Sequence, residues 1–528
     1  MSWHPFNRNP ADQKRTLLRA LVNTSVGILA IITVSCSSFP LDHTKTASVA
    51  LKTPPSTGVS GIFERAAAQH PGESGFAIVP GNREAFTDRM ALADFAQKTL
   101  DVQYFIWSGD TVGRMMADHV IKAAERGVRV RFLLDDINFK KRDSAAASMN
   151  AHPNIEVRIF NPHKHRSLRA LEFGANFKRL NKRMHNKTMT MDNSCVIVGG
   201  RNIADEYFGL GEEQNNRDLD IVAVGPIVRD ISETFDEFWN SPAAVPIESL
   251  VDKTYRIEDF RRELATMRSR IDPSLYPFPL EEDLKSLRTR LNTVASRLTW
   301  SRAEVIHDTF KSMKNLTIEE TVAGQLGRQI REAKKELIIE SAYFVMRDEE
   351  VEFCRSLTNR GVKVRVLTNS LASNNVIAAQ AGHAKRRKPL VETGVDLYEL
   401  RPDATSVKEF VAPQGKNSIS TLHTKALVID GKKAFVGSYN LDPRSAEINS
   451  EIGIMVYSPA FAGKVKAFLD EGISPGNAYH VSVDDAGQLK WETLVNGQVK
   501  TWSKDPETSA FQRFKSGVIG ILPIENQL

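Results

Sequence analysis

Two octets carry the side chains best suited to chemistry. Residues 185–192 read HNKTMTMD and residues 423–430 read HTKALVID, so His, Lys and Asp recur at positions one, three and eight, 238 residues apart. Each Asp is followed by six residues and then by Gly-Gly-Arg-Asn (199–202) or Gly-Ser-Tyr-Asn (437–440). On extended backbone an imidazole and an ammonium two positions apart project from the same face. Burying such a pair without a partner is costly, so each pair calls for an anion. Two pairs brought to one seam suit a phosphodiester. One His attacks phosphorus and forms a phosphohistidine. The other protonates the leaving alkoxide and later deprotonates the incoming hydroxyl. Lys187, Lys425, Asn202 and Asn440 hold the non-bridging oxygens and the charge that grows on them. Because Lys and Asn fill that role, the pattern asks for no metal and no cofactor. Each octet is therefore expected to be half of one site.

A nucleophilic imidazole needs a carboxylate on its other nitrogen. Asp218 and Asp220 in RDLDIVAV, and Glu451 in NSEIGIMV, are the candidates, and alignment of the following strands pairs Asp220 with Glu451. Asp192 and Asp430 complete the His-Lys-Asp sets and are counted with the catalytic residues. Their position at a strand end beside a turn fits orienting a loop better than touching phosphate.

The elements that must position these groups are themselves repeated. DVQYF (101–105) matches ESAYF (340–344), AERGVRVRFLLDD (124–136) matches TNRGVKVRVLTNS (358–370), and IEVRIFNP (155–162) matches VDLYELRP (395–402). The order and spacing hold across all landmarks, which marks a duplicated domain rather than a short solenoid repeat. TLDVQYFIW and KELIIESAYFV read as strands. GRMMADHVIKAAERG reads as a helix closed by Gly127, and VRVRFLLDD and VKVRVLTNS as strands again. Strand, helix, strand means a crossover unit and a parallel or mixed sheet covered by helices. The expected fold is α/β: two tandem domains, 61–250 and 316–475, related by a pseudo-twofold axis that brings the octets together. A charged segment of helical spacing (251–315) connects them. A hairpin around Asn496-Gly497 and a tail, FQRFKSGVIGILPIENQL, fill 476–528. The tail sets an apolar stretch beside Arg513 and Lys515, which fits either a membrane interface or packing on the body.

The first 36 residues differ in character. Arg8, Lys14, Arg15 and Arg19 precede an apolar run from Ala20 to Val34, the length of a signal-peptide core rather than of a full span. The run ends at Ser35-Cys36, which resembles a lipobox whose Cys is lipidated after cleavage. Export across a bacterial inner membrane is expected, with the body facing the periplasm and held by a lipid on Cys36 or by an uncleaved anchor. Residues 37–60, rich in Ser, Thr and Pro, read as a flexible tether. The chain has 70 Lys and Arg against 64 Asp and Glu, a net +6 that suits an anionic partner. Its three cysteines, Cys36, Cys195 and Cys354, form no disulfide framework and no CxxC pair. Cys195 and Cys354 read as buried thiols.

The pattern HxKxxxxDxxxxxxG[GS]xN, met twice, is the signature of the phospholipase D superfamily, which this sequence resembles from about residue 61 onward. The resemblance implies two α/β/α sandwich domains sharing one metal-independent site. It further implies that the first-copy His185 attacks and the second-copy His423 protonates; the residues themselves do not rank the two. LDVQYFIW, RLNKRMHNKTMTMD, VGGRNIADEYFG, DLDIVAVGP, LTNSLASN, GSYNLDPRS and ILPIENQL resemble bacterial cardiolipin synthases of the C type. That implies a phosphatidyl transferase acting on glycerophospholipids, joining phosphatidylglycerol to phosphatidylethanolamine with release of ethanolamine. The export segment departs from this pattern and leaves open which membrane face is served.

Phospholipids and a membrane surface are the implied partners, and the residues point to no protein partner. The basic segments HKHRSLRALEFGANFKRLNKR (163–183) and HAKRRK (383–388) suit anionic headgroups, with His163, His165 and His383 read as surface residues. Nucleic acid is not expected, because no long basic stripe with stacking aromatics is present. The competing readings are a hydrolytic phospholipase D releasing phosphatidic acid, an endonuclease with the same site, and a non-catalytic membrane-anchored phosphate-binding scaffold.

Overall fold

The computed structural model describes residues 43–521, apart from 140–141, 273–285, 287–294, 315–316, 375 and 410. The export segment with Cys36 lies outside the described residues, as do residues 37–42 of the proposed tether. The first half forms β1 (Ser74–Val79), β2 (Thr99–Tyr104), β3 (Arg129–Asp135), β4 (Ile155–Phe160), β5 (Thr188–Met191), β6 (Cys195–Gly199), β7 (Gln214–Arg217), β8 (Asp220–Val224) and β9 (Ala244–Pro246). The connector adds β10 (Thr299–Ser301) and β11 (Ala303–His307). The second half forms β12 (Glu336–Ser341), β13 (Lys363–Asn369), β14 (Asp396–Leu400), β15 (Ile419–Leu422), β16 (Lys425–Ile429), β17 (Lys433–Gly437) and β18 (Ile452–Val456). β19 (Ala478–Val483), β20 (Leu489–Val495) and β21 (Gln498–Trp502) follow.

These strands build two large mixed sheets. One runs β10-β1-β8-β6-β5-β2-β3-β4-β9, the other β11-β18-β17-β16-β12-β13-β14-β19-β20-β21. From β1 to β4 and from β11 to β14 the two orders are the same, so the duplication read from the sequence is a duplication of topology. Within each, β2-β3-β4 and β12-β13-β14 pair in parallel. Parallel neighbours need crossover connections, which the helices Thr111–Glu125 and Asp348–Asn359 supply. Asp110 caps the first of these by accepting the Gly113 N–H, and Gly127 follows its end with φ +94°, where a side chain would be strained. The fully buried run TLDVQY of β2 reflects a central strand covered on both faces.

The halves share a core. Phe76, Val196, Val198 and Ile221 of the first pack in one cluster with Ile338, Val428, Val436 and Ile454 of the second. β7 and β15, one from each half, pair in parallel as a separate two-stranded sheet.

Three expectations need correction. The chain before residue 58 is not a free tether. Arg131 donates to Ser48 O, Ala50 N–H donates to Asp236, and Asn193 donates to Leu51 O, so this stretch is strapped to the first half. The connector holds a helix, Ile257–Ser269, but it also supplies an edge strand to each sheet, β10 beside β1 and β11 beside β18. The second sheet does not end at residue 475: β19 pairs with β14, and the C-terminal hairpin continues the sheet. Its turn lies at Asn496-Gly497, both with positive φ, as the dipeptide predicts. Cys195 and Cys354 are buried as expected.

Candidate active site

In each octet the reactive residues sit where the strand begins: β5 starts at Thr188, just after Lys187, and β16 starts at Lys425 itself. Extended backbone holds them there through hydrogen bonds that repeat with the halves exchanged. Met184 N–H donates to Asp135 Oδ2 (2.9 Å) and Leu422 N–H to Asn369 Oδ1 (2.7 Å), and Asp135 and Asn369 end the equivalent strands β3 and β13. His185 N–H then donates to Ser450 O (2.9 Å), and His423 N–H to Arg217 O (2.7 Å). The residues after those two carbonyls are Glu451 and Asp218. His185 Nδ1 lies 2.8 Å from Glu451 Oε2, and His423 Nδ1 lies 2.7 Å from Asp218 Oδ2. Each imidazole is thus oriented by a carboxylate from the other half.

This corrects the pairing of Asp220 with Glu451. The sheet registers set Val198 against Ile221 and Val436 against Ile454. Val198 and Val436 are equivalent, so Asp218 corresponds to Glu451 and Asp220 to Gly453. Asp220 instead neutralises two buried guanidiniums, Arg89 at 2.9 Å and Arg201 at 3.0 Å. A slip of two residues keeps the same strand face, which is why the sequence alone favoured the wrong acid.

Asp192 and Asp430 also leave the catalytic set. Both have positive φ in the turn after their strand. Asp192 accepts the N–H groups of Gln97, Lys98 and Thr99 and the Ser60 hydroxyl; Asp430 accepts those of Lys334, Lys335 and Glu336. They clamp the starts of β2 and β12. Each lies five positions along extended chain from its Lys, about 16 Å.

The two lysines are buried, and each Nζ donates to the carbonyl of its own His: Lys187 to His185 O (2.6 Å) and Lys425 to His423 O (2.5 Å). Burial pushes Lys187 down to about 7, with Lys425 adding to the effect, and burial pushes Lys425 down to about 8. The charge of Lys425 acts on His185, and that of Lys187 on His423, so the half-sites converge. Burial and the lysine charges hold both imidazoles neutral, His423 at about 3 and His185 well below its ordinary value. Glu451 is pushed up to about 7 by burial, against the pull of Lys187. The centre is buried and sets two lysines beside two neutral imidazoles, groups suited to receive an anion.

Asn202 and Asn440 lie beside it, both buried. Asn202 accepts the Ile106 N–H and donates to the Tyr207 hydroxyl, while Asn440 Oδ1 has no protein partner among the described residues. Aromatic rings stand edge-on to the imidazoles, Phe105 on His185 at 4.8 Å and Tyr207 on His423 at 4.9 Å. Arg444 reaches across from the second half to Asn181, 2.8 Å away, and its charge contributes to lowering His185. Sequence reasoning missed Phe105, Tyr207, Arg444, Asp135 and Asn369. Asp135 and Asn369 were visible as equivalent positions in the repeated LLDD and LTNS; Tyr207 and Arg444 stand outside the repeat. His163 and His383, read as surface residues, are buried: His163 lies 2.7 Å from Asp136, and His383 3.1 Å from Glu399.

Paired, crossed His–carboxylate couples with a lysine beside each, on a duplicated mixed-sheet fold, define a phospholipase D-type site for phosphodiester chemistry. The family model for the cardiolipin synthase phospholipase D-like domain matches the chain twice, over residues 90–239 and 326–472. Cardiolipin synthase C of Escherichia coli K12 is 36% identical over 462 residues, 87% of this chain and 97% of that protein. An uncharacterised protein of Helicobacter pylori 26695 is 30% identical over 89% of this chain and 93% of its own. The crystal structure of phosphatidylserine synthase from Haemophilus influenzae Rd KW20 shares the fold, with a TM-score of 0.54 and 13% identity over 88% of this chain and 100% of that one. The chain belongs to the cardiolipin synthase family of phospholipase D-like proteins.

Proposed function

We propose that this protein makes cardiolipin at a membrane surface, transferring a phosphatidyl group from phosphatidylethanolamine to phosphatidylglycerol. The crossed pairs His185–Glu451 and His423–Asp218, with Lys187 and Lys425 between them, carry this reading. The donor phosphate settles between the lysines. His185 Nε2 attacks phosphorus, forming a P–N bond, while His423 gives a proton to the departing ethanolamine oxygen. His423 then takes the proton of a phosphatidylglycerol hydroxyl, whose oxygen attacks phosphorus and releases His185. Burial and the lysine charges hold His423 neutral, so a bound phosphate anion must offset both before His423 can act as acid. Lys187, Lys425 and the amides of Asn202 and Asn440 stabilise the charge on the non-bridging oxygens. The run Ala20–Val34 and Cys36 support a body held on the periplasmic side of the inner membrane, by a lipidated Cys36 or an uncleaved anchor.

The test is incubation of the purified protein in EDTA with phosphatidylglycerol, with and without phosphatidylethanolamine, followed by lipid mass spectrometry. Wild type should yield cardiolipin, and His185→Ala and His423→Ala should not. Phosphatidic acid alone would make the protein a hydrolase, and the absence of any lipid product would redirect attention to nucleic acid.

A further inference from the structure

Two apolar, cationic surfaces, one on each half, are not used by the mechanism above. One is the C-terminal helix Ala510–Ile521. Phe511, Phe514, Val518 and Ile521 recur at helical spacing on one face, and Phe511, Phe514 and Ile521 are 72%, 68% and 84% exposed. The opposite face packs on the helix Ile377–Glu392: Ser516 is buried, Gly520 lies against Ala381, and Asp505 just ahead of the helix pairs with Arg387 at 3.0 Å. The helix carries Arg513 and Lys515 and no acidic residue.

The other surface is the segment between β4 and His185. Leu171 is 71% exposed, and Leu168 and Phe177 are exposed with it. Residues 163–183 hold seven Lys and Arg against one acid, Glu172. Glu172 is consumed internally, accepting the N–H groups of Lys164 and His165 and pairing with Arg179. Asp136 anchors the segment through His163 and Arg166. It is therefore a built surface that holds its apolar side chains outward.

Both surfaces touch equivalent places. The segment is tied to Asp136, the residue after Asp135, which holds the Met184 N–H ahead of His185. The helix lines a groove with Leu371, two residues after Asn369, which holds the Leu422 N–H ahead of His423. Each apolar patch thus adjoins the end of the strand that positions the backbone ahead of one catalytic His, one patch in each half. A soluble protein rarely leaves such stripes uncovered. Exposed Phe, Leu and Ile interleaved with Lys and Arg match the acyl boundary and the anionic headgroups of a phospholipid surface.

We infer that the helix Ala510–Ile521 and the segment Lys164–Lys178 are the two feet on which the enzyme sits on an anionic bilayer, with the reaction centre between them facing the lipid. The inference rests on the lipid reading above and names the residues that make contact. It does not depend on the N-terminal segment.

The test uses the full chain with its N-terminus. In Phe511→Asp/Phe514→Asp, and separately in Leu171→Asp, turnover of phosphatidylglycerol and phosphatidylethanolamine vesicles should fall at least tenfold. Turnover of short-chain analogues, dissolved as monomers, should stay within twofold of wild type. As an independent readout, Phe514→Trp is reconstituted in phosphatidylglycerol vesicles with brominated acyl chains, and its added fluorescence should be quenched. Undiminished vesicle turnover, an equal loss on monomers and vesicles, or an unquenched indole would overturn the inference. So would a dimer in detergent dissolved by Phe514→Asp, since the stripe would then serve a second copy. If wild type turns over no lipid, the proposed function fails, and the quenching experiment still decides whether these surfaces enter a bilayer.

Discussion

At the residue scale, the two carboxylates that hold the imidazoles are separable from the acid that merely neighbours them. In Asp218→Asn and Glu451→Gln an amide replaces the group that fixes the imidazole tautomer. Turnover should drop ~10²–10⁴-fold with melting temperature little changed and substrate KM within a few-fold. Asp220→Asn should behave in the opposite way. It leaves Arg89 and Arg201 buried without their counter-ion, so stability should fall by ~3–5 kcal/mol in a denaturant melt, while turnover per folded molecule persists. The pH dependence follows from His423, which burial and the lysine charges push down to about 3 from its ordinary 6.5. Between those values the unfolded chain binds the extra proton, so stability rises with pH across this window and is lost on acidification. Glu451, pushed up to about 7 by burial, titrates in the opposite sense, so the His423 contribution is read as a difference: in chemical denaturation from pH 6.5 down to 4, the stability of wild type relative to His423→Gln should fall. The sequence made the His, Lys and Asn residues legible because they are duplicated at fixed spacing. It misassigned Asp220 because a two-residue slip in a strand leaves every side chain on its own face.

At the element scale, Asp192 and Asp430 show how a motif residue can be essential to a strand and remote from the chemistry. Each gathers three backbone N–H groups where β2 or β12 begins. Asp192 is fully buried, so Asp192→Ala should strand those donors and cost ~1–3 kcal/mol, read as a lowered denaturation midpoint. Turnover well below the melting temperature should remain near wild type, which a residue touching phosphate would not permit. The strands β2, β3, β12 and β13 and the Asn496-Gly497 hairpin were legible, since apolar runs and turn chemistry are local signals. The edge strands β10 and β11 were not. They are three and five residues long, too short for a period, and their pairing partners lie far along the chain. The strap before residue 58 escaped for a related reason: its order comes from side chains of the first half that accept and donate to its backbone.

At the scale of the whole molecule, the crossing of the couples makes the two halves one catalyst. His185 takes its orientation from Glu451, and His423 from Asp218, and the same segments pass backbone hydrogen bonds across the seam. Arg217 deepens the dependence. Its carbonyl receives the His423 N–H, while its guanidinium enters the second half, 3.0 Å from Glu340 and stacked 3.7 Å from the Phe468 ring. A site so divided within one chain cannot be completed by exchange between folded molecules, because the shared apolar core would have to open first. Mixing purified His185→Ala with His423→Ala should therefore restore no turnover, even after long incubation at moderate temperature. Recovery approaching a quarter of wild-type activity, the yield of random exchange, would mean that the halves pair between chains, and that the crossed couples form in a swapped dimer. Co-refolding the same two variants from denaturant offers the contrast. If single chains close on themselves faster than they meet, that mixture too should stay inactive at any protein concentration, as measured by cardiolipin formed per mole of chain.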